Sequence, residues 1–170
     1  MNLQFSPEDE SFRLRARAWL SANLPSAPLP SGDTAEGFEA HKAFEQRLFD
    51  DGWAVVSWPR EHGGQGASLV QWLVFEEEYW ALGGPSRVAQ NGIFLLAPAI
   101  FALGTDEQKQ RLLRPMAGAQ VLWAQGWSEP GAGSDLAAVT SWATRDDSAG
   151  GWRLHGQKTW CTRAAWCDRL

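Results

Sequence analysis

The sequence predicts an α+β protein, with an N-terminal all-α helical domain over residues 1–118 and the opening strands of an antiparallel β domain over residues 119–170. Two observations support this division. In the first part, apolar side chains recur every three or four positions between residues that favour helix ends. After residue 120, Gly, Ser and Asp separate short runs rich in Trp, Val and Thr, which is typical of strands and turns.

The first helix begins at a residue that favours an N-cap. Ser6 precedes Pro7, and proline is favoured at the first position of a helix. The predicted buried residues of this helix are Phe12, Ala16, Trp19 and Leu20. The second helix is predicted from Thr34 to Asp51, because Gly52 is a suitable terminator. Its apolar side chains are Phe38, Phe44, Leu48 and Phe49.

The third helix is predicted from Ser68 to Leu82. Its expected buried stripe consists of Val70, Leu73, Val74 and Glu77. Three consecutive glutamates, Glu76–Glu78, lie on this helix, and we expect one of them to point inward. Consecutive helical residues face different directions, so the three do not form a paired acid/base site.

Two further helices complete the predicted helical domain. An apolar helix extends from Gly92 to Leu103 and ends at Gly104. Thr105 with Gln108 forms a capping box that opens the last helix, predicted from Asp106 to Leu113. We expect Pro115 and Gly118 to stop it.

Short strands dominate the remainder of the chain. The predicted strands are residues 121–124, 139–144, 152–155 and 158–162, and Asp146–Gly151 is a predicted hairpin turn. Three or four strands form a weak unit by themselves, so we expect this chain to be the front portion of a longer polypeptide.

Composition excludes several classes of function. The net charge is -5 and no Lys/Arg run occurs, which argues against nucleic-acid binding. No apolar stretch reaches the roughly 18 residues that a membrane-spanning helix needs. The two cysteines, Cys161 and Cys167, match no zinc or redox spacing, and His41, His62 and His155 form no cluster. We therefore expect a cytoplasmic protein with free thiols and no metal site.

The segment Gly126–Asp135 carries the strongest functional signal. Gly131 and Gly133 would permit a positive φ and the close approach of a ligand, and Ser128 and Ser134 supply hydroxyl groups. Backbone N–H groups in such a loop suit a flavin, whose reduction places negative charge on the ring. The alternative is a tight structural turn in which Glu129 and Asp135 act as turn or capping residues.

A second segment, Gly156–Thr162, has the same two interpretations. Strand alternation would place Lys158, Trp160 and Thr162 on one face, where an indole and a hydroxyl suit an aromatic cofactor. The alternative is a core tryptophan beside an ordinary strand threonine.

Together these segments resemble the two flavin segments of the acyl-CoA dehydrogenase family. The similarity is most specific at Ser128–Asp135, and Gly156–Thr162 follows at the usual separation. Weaker similarity covers most of the chain, including Trp58–Gly64, which resembles an interhelix loop of the family, and Gly104–Pro115, which resembles its turn and helix before the β domain.

The resemblance implies a three-domain fold: a helical domain, a middle β barrel and a C-terminal four-helix domain. It also implies FAD, an acyl-CoA substrate undergoing α,β-dehydrogenation in fatty acid or lipid metabolism, and an electron-transfer flavoprotein or similar acceptor. A homotetramer or heteromeric complex is expected. Ser134 would also meet the acyl-CoA. The implied cofactor-binding residues are Gln125, Gly126, Trp127, Ser128, Gly133, Ser134, Trp160, Cys161 and Thr162.

The chain departs from the family pattern in two ways. Trp127 stands where an aliphatic residue or Phe is more usual, and the family's catalytic glutamate belongs to the C-terminal domain. We therefore assign no catalytic residue here and expect these 170 residues alone to be inactive and to bind FAD weakly or not at all. Two alternatives stay open: a non-catalytic subunit or truncated interaction protein of the same fold, and a flavin monooxygenase or nitroalkane oxidase relative.

Overall fold

A computed structural model describes residues 4–170 of the chain. Contacts divide the chain into two compact units, Met1–Leu122 and Trp123–Leu170. The division falls after Leu122, whereas the sequence analysis placed it after residue 118. The first unit is helical and the second contains an antiparallel hairpin, so the predicted α+β class is confirmed.

Five α-helices lie in the described part of the first unit. They are α1 (Pro7–Asn23), α2 (Ala35–Asp50), α3 (Leu69–Ala81), α4 (Ala97–Leu103) and α5 (Asp106–Ala117). A π-helical turn, Asn91–Leu96, leads directly into α4, so the predicted apolar helix has two kinds of turn. In a π-helical turn each carbonyl accepts from an N–H five residues on rather than four.

The predicted helix starts are confirmed by their side-chain caps. Ser6 accepts from the Asp9 N–H at 3.1 Å, and Thr34 accepts from the Gly37 N–H at 3.1 Å. The expected stop at Pro115 is wrong, because α5 continues through it to Ala117. A proline withholds one N–H from the helix, and the Pro115 carbonyl still accepts from the N–H groups of residues 120 and 121.

The buried stripe of α3 also differs from the predicted one. Val70 and Leu73 are 42% and 50% exposed, and Glu77 is exposed as well. Of the predicted stripe only Val74 is buried, and α3 buries Phe75, Glu78 and Tyr79 beside it. The reason is a tertiary contact: the Glu78 carboxylate accepts from both Arg13, at 2.9 Å, and Arg17, at 2.7 Å, on α1.

Apolar and aromatic side chains form the core of the helical unit. Trp53 stacks on Phe75 with ring centroids 5.6 Å apart, and Phe12 packs at 5.7 Å from the same indole. Leu48 of α2 is fully buried, as are Leu20 of α1 and Leu113 of α5. Burial of such side chains supplies the main stabilisation of a helical domain.

One buried ion pair crosses this core. Arg87 donates to Glu45 at 2.9 Å and to the Ala54 carbonyl at 2.8 Å, and both charged side chains are at most 2% exposed. Glu45 also accepts from the Val88 N–H at 2.8 Å. The segment after α3 is thereby attached to α2.

The C-terminal unit contains a two-stranded antiparallel sheet formed by β1 (Trp142–Asp146) and β2 (Gly151–His155). Ala143 pairs with Leu154, and Arg145 pairs with Trp152. The hairpin turn is confirmed, but residues 139–141, predicted as strand, lie outside β1. Two of their N–H groups donate to a carboxylate instead of a neighbouring strand.

Two predicted strands do not form. Residues 121–124 contribute only an isolated bridge, Trp123 to Arg169, and the Val121 N–H donates to the Pro115 carbonyl of α5. Residues 158–162 form a loop of tight turns, in which Trp160 has a φ of 57°. An extended strand cannot contain a left-handed residue, so the predicted side-chain alternation is lost there.

No helix within residues 4–170 is both long and apolar enough to cross a membrane. In the same part of the chain, no group of three or more His, Cys, Asp or Glu side chains is arranged to hold a metal ion.

Candidate functional site

The loop that contains Ser128–Asp135 is closed by a small reciprocal turn. Glu129 and Ala132 exchange backbone hydrogen bonds of 2.8 and 3.1 Å, and Pro130 and Gly131 form the tip. Neither Gly131 nor Gly133 has a positive φ, so that expectation is wrong. A Cβ placed on either glycine would meet nothing within 4 Å. No intramolecular contact therefore requires these glycines, and both leave backbone open to an approaching ligand.

Backbone and side-chain contacts join this loop to the second candidate segment. The Thr159 N–H donates to the Ser128 carbonyl at 2.9 Å. The Lys158 ammonium donates to the Trp127 carbonyl at 3.1 Å. The structure thus brings together residues 127–129 and 158–159, which are about thirty positions apart in the sequence.

A buried carboxylate lies at this junction. Glu129 is 6% exposed, and it accepts from the Thr140 N–H and hydroxyl, both at 2.7 Å, and from the Ser141 N–H at 2.9 Å. The Lys158 ammonium lies 2.9 Å from the same carboxylate. Hydrogen bonds from Ser141 and Thr140, followed by Lys158, hold the pKa of Glu129 well below its ordinary value.

Trp160 protrudes from the second segment. Its side chain is 89% exposed, so the alternative of a core tryptophan is wrong. Lys158 is hydrogen-bonded to the loop while Trp160 and Thr162 are exposed, and the three do not share one strand face as predicted. The Thr162 N–H donates to the Trp160 carbonyl at 3.0 Å, which closes a turn around the indole-bearing residue.

The remaining predicted site residues lie at the surface of the same unit. Trp127 is 57% exposed, and the Cys161 thiol donates to the Thr159 carbonyl with an S–O distance of 3.6 Å. Gly126 faces Leu170, whose side chain would lie 3.0 Å from a Cβ at that position. Three others are exposed: Gln125, Gly133 and Ser134.

An open concavity of about 450 Å³ lies beside the junction, lined by Glu129, Pro130, Thr159 and Trp160. The Thr159 hydroxyl is buried and has no hydrogen-bond partner among the described residues. Within the same described part, the N–H groups of residues 125–128 donate to no recorded acceptor in the protein. Open glycines, free N–H donors and an exposed indole fit a planar ligand that carries carbonyl or anionic oxygens.

Sequence reasoning missed the residues that organise this site. Glu129 was considered as a turn or capping residue and Lys158 as a face-sharing neighbour of Trp160. Their contact was nevertheless signalled by opposite charges, each placed inside a segment otherwise composed of small, polar or aromatic residues. Charges in such surroundings are often paired when they are buried.

Comparison with known proteins covers both units. The family model for the acyl-CoA dehydrogenase N-terminal domain matches residues 6–120, and that for the acyl-CoA dehydrogenase middle domain matches residues 124–170. The acyl-CoA dehydrogenase IpdE1 of Mycobacterium tuberculosis is 41% identical over 167 residues, a span of 93% of this chain and 43% of that protein.

Solved structures give the same result. The ChsE4–ChsE5 complex from Mycobacterium tuberculosis matches with a TM-score of 0.77 at 32% identity, covering 99% of this chain and 42% of that chain. The Tcur3481–Tcur3483 steroid ACAD matches with a TM-score of 0.78 at 28% identity, covering 99% and 43%. The chain therefore spans less than half the length of these relatives.

Proposed function

Since this chain belongs to the acyl-CoA dehydrogenase family, we propose that it supplies the helical domain and the flavin-facing loops of an FAD-dependent acyl-CoA dehydrogenase. The family is one of FAD-dependent oxidoreductases. The observation that carries the proposal is the junction of the two candidate segments through the Thr159 N–H and the Ser128 carbonyl. Through this contact, two segments that separately resemble turns belong to one surface.

The proposed roles of the residues follow from their chemistry. Bound FAD would supply the hydride acceptor for the β carbon of the acyl-CoA thioester. N–H groups of residues 125–128 and the hydroxyls of Ser128 and Thr162 would donate hydrogen bonds to the ring's oxygen and nitrogen atoms. The exposed indole of Trp160 would pack against the ring and exclude water from it.

Substrate contacts are proposed at the same loop. Ser134 is exposed next to the open glycine at 133, where a hydroxyl can donate to a thioester ligand. We assign no residue of this chain as the base that removes the α proton. The two buried carboxylates Glu129 and Glu78 are both paired with cations of this chain.

The test uses the protein expressed from its complete reading frame. We expect a yellow preparation that releases FAD on denaturation and reduces an artificial acceptor when an acyl-CoA is added. Trp160→Ala should perturb the visible absorbance of the bound flavin, and Thr162→Val should weaken flavin binding or slow its reduction. A colourless protein that binds no added FAD, or variants with unchanged spectra and reduction rates, would contradict the proposed roles.

The first substrate to test is a CoA thioester with a bulky, ring-containing acyl group. One structural relative is a steroid ACAD, so we propose a CoA thioester attached to a steroid ring system or a fragment of one. Turnover of such a thioester should exceed that of a straight-chain acyl-CoA of similar carbon number. The reverse order would contradict this substrate class while leaving the dehydrogenase activity in place.

A second candidate function is that of a non-catalytic partner in a heteromeric dehydrogenase. The observation that favours it is the similarity to a chain of the ChsE4–ChsE5 complex. Full activity of the purified protein without any second chain would contradict this candidate. Activity that appears only after a second dehydrogenase-like chain is added would support it.

A further inference from the structure

Glu129 has an unusual environment for a residue in an exposed loop. Pro130 beside it is exposed and Ser128 is half-buried, whereas Glu129 is 6% exposed. Its recorded donors are the Thr140 N–H, the Thr140 hydroxyl, the Ser141 N–H and the Lys158 ammonium. A carboxylate offers about four lone-pair sites, so the described contacts saturate it.

Lys158 connects this carboxylate to the other candidate segment. Its ammonium lies 2.9 Å from Glu129 and 3.1 Å from the Trp127 carbonyl. The adjacent Thr159 N–H donates to the Ser128 carbonyl at 2.9 Å. One pair of opposite charges, Glu129 and Lys158, therefore joins three segments: residues 127–129, 140–141 and 158–159.

Apolar packing cannot explain how these segments keep their spacing. In the described residues 123–170, the buried side chains are Glu129 and two alanines, Ala124 and Ala132. An ion pair removed from water gains little net stability, but it disfavours arrangements that leave either charge unpaired. The pair is therefore suited to define one geometry of the loops.

We propose that Glu129 and Lys158 are positioning residues that fix the two flavin-facing segments relative to one another and present a neutral pair to the bound flavin. This inference rests on the proposed function. Neither side chain is required to touch the cofactor, because the carboxylate is saturated and the ammonium is directed to Glu129 and Trp127. They act through the backbone of residues 127–129 and 158–159.

Loss of structure alone would not shift the flavin midpoint potential in opposite directions in the two single variants. Glu129→Gln leaves the Lys158 cation without its anion, and a nearby positive charge stabilises a reduced, negatively charged ring. Lys158→Met leaves the carboxylate, which still has its donors at Thr140 and Ser141. The midpoint potential of the bound flavin should therefore rise in the first variant and fall in the second.

The experiment measures FAD dissociation constants and flavin midpoint potentials in the complete protein. Each single variant should bind FAD about tenfold more weakly, the effect of losing one hydrogen bond to a charged group. The double variant should have a potential near that of the wild type. If Lys158→Met does not fold, Lys158→Gln replaces it, because its amide keeps a donor for the Trp127 carbonyl and the expected direction is the same.

The hairpin provides a matched control. Arg153 and Asp146 form an ion pair of 2.6 Å in the same unit, and neither contacts the two candidate segments in the described structure. Arg153→Met and Asp146→Asn should leave both the affinity and the potential unchanged. Shifts of the same sign in Glu129→Gln and Lys158→Met, or shifts equal to those of the controls, would overturn the positioning role. A wild-type protein without FAD would instead contradict the proposed function.

Discussion

The helical unit and the C-terminal unit bury different kinds of side chain. The helical unit encloses large apolar residues such as Phe12, Leu48 and Phe75, all at most 2% exposed. In the described residues of the C-terminal unit, Trp152 and Leu154 are 66% and 81% exposed, and the buried Glu129 carboxylate accepts from Thr140, Ser141 and Lys158. The first unit is therefore organised by burial of apolar surface and the second by hydrogen bonds to one charge.

This difference suggests that the helical unit contributes mainly to stability and the C-terminal loops mainly to ligand binding. An apolar core tolerates little change in volume, so substitutions inside the helical unit should act mainly on stability. Loops organised by a few hydrogen bonds leave their apolar side chains and backbone donors available at the surface. Substitutions in the two units should consequently have effects of very different size and kind.

The largest effect is expected at the buried ion pair of the helical unit. Arg87→Met removes the partner of Glu45, whose carboxylate then lacks a cation while 1% exposed. Removing one member of a buried pair costs about 3–5 kcal/mol. Chemical denaturation followed by helical circular dichroism should report this loss, and the exposed Arg153→Met in the hairpin should change the free energy of unfolding little. Equal losses in the two variants would contradict the comparison.

A pair of leucines compares apolar burial in the two units directly. Leu48 is 0% exposed and Leu154 is 81% exposed. Leu48→Ala should cost about 2–5 kcal/mol, because it removes buried methyl groups and leaves a cavity. Leu154→Ala should change the free energy of unfolding by less than about 0.5 kcal/mol. A destabilisation by Leu154→Ala that approaches that of Leu48→Ala would show that the hairpin is packed more tightly than described.

Acid titration should distinguish the buried carboxylates of Glu78 and Glu129 by smaller effects on stability. The pKa of Glu78 is lowered by Arg17 and Arg13, whereas that of Glu129 is lowered by Ser141, Thr140 and Lys158. A carboxyl with a depressed folded pKa contributes stability above its ordinary value of 4.5, and that contribution is lost as the pH falls below this value. Glu78→Gln and Glu129→Gln should each reduce the fall in melting temperature between pH 5 and the acid limit.

Repeating the acid titration in high salt should separate the contributions of Glu78 and Glu129. At about 1 M ionic strength the screening length is about 3 Å, and exposed charges such as the Arg17 guanidinium are screened most. Arg17 is 56% exposed, whereas most donors to Glu129 are uncharged N–H and hydroxyl groups. The acid dependence due to Glu78 should therefore weaken more in high salt than that due to Glu129. Equal weakening of the two acid dependences would indicate that the Lys158 charge alone, and not the uncharged donors, lowers the pKa of Glu129.

The smallest effect on stability is expected at Thr159. Its buried hydroxyl has no partner among the described residues, so Thr159→Val removes an unsatisfied group while keeping the side-chain shape. The free energy of unfolding of the cofactor-free variant should stay within about 0.5 kcal/mol of the wild-type value. FAD binding should weaken if this hydroxyl donates to the ligand, and Thr140→Val, which removes an internal bond to Glu129, serves as the contrasting variant.

Local signals explain which parts of the fold could be predicted. Ser6 was predicted as a cap because a cap depends on residues within one turn, and the hairpin at Asp146–Gly151 follows from its own turn residues. The buried face of α3 depends on Arg13 and Arg17, which are more than sixty positions away. No helical periodicity contains that information.

The candidate site likewise depends on contacts between residues far apart in the sequence, which local patterns do not reveal. Its two segments were identified by composition and resemblance, but the strand expected at 158–162 is a loop. Thr159 and Lys158 bind residues 127–129, so their hydrogen bonds are used outside any sheet ladder. The opposite charges of Glu129 and Lys158 are visible in the sequence, but the contacts of Glu129 with Thr140 and Lys158 depend on the tertiary structure.

The left-handed conformation of Trp160 has a consequence for protein engineering. A residue with a β carbon at a φ of 57° costs about 1–2 kcal/mol relative to a relaxed backbone, and glycine or asparagine at this position would reduce the cost. A library selected for heat resistance alone would be enriched in those replacements. A library selected for retention of the yellow colour would keep the tryptophan, so the two selections should diverge first at this position.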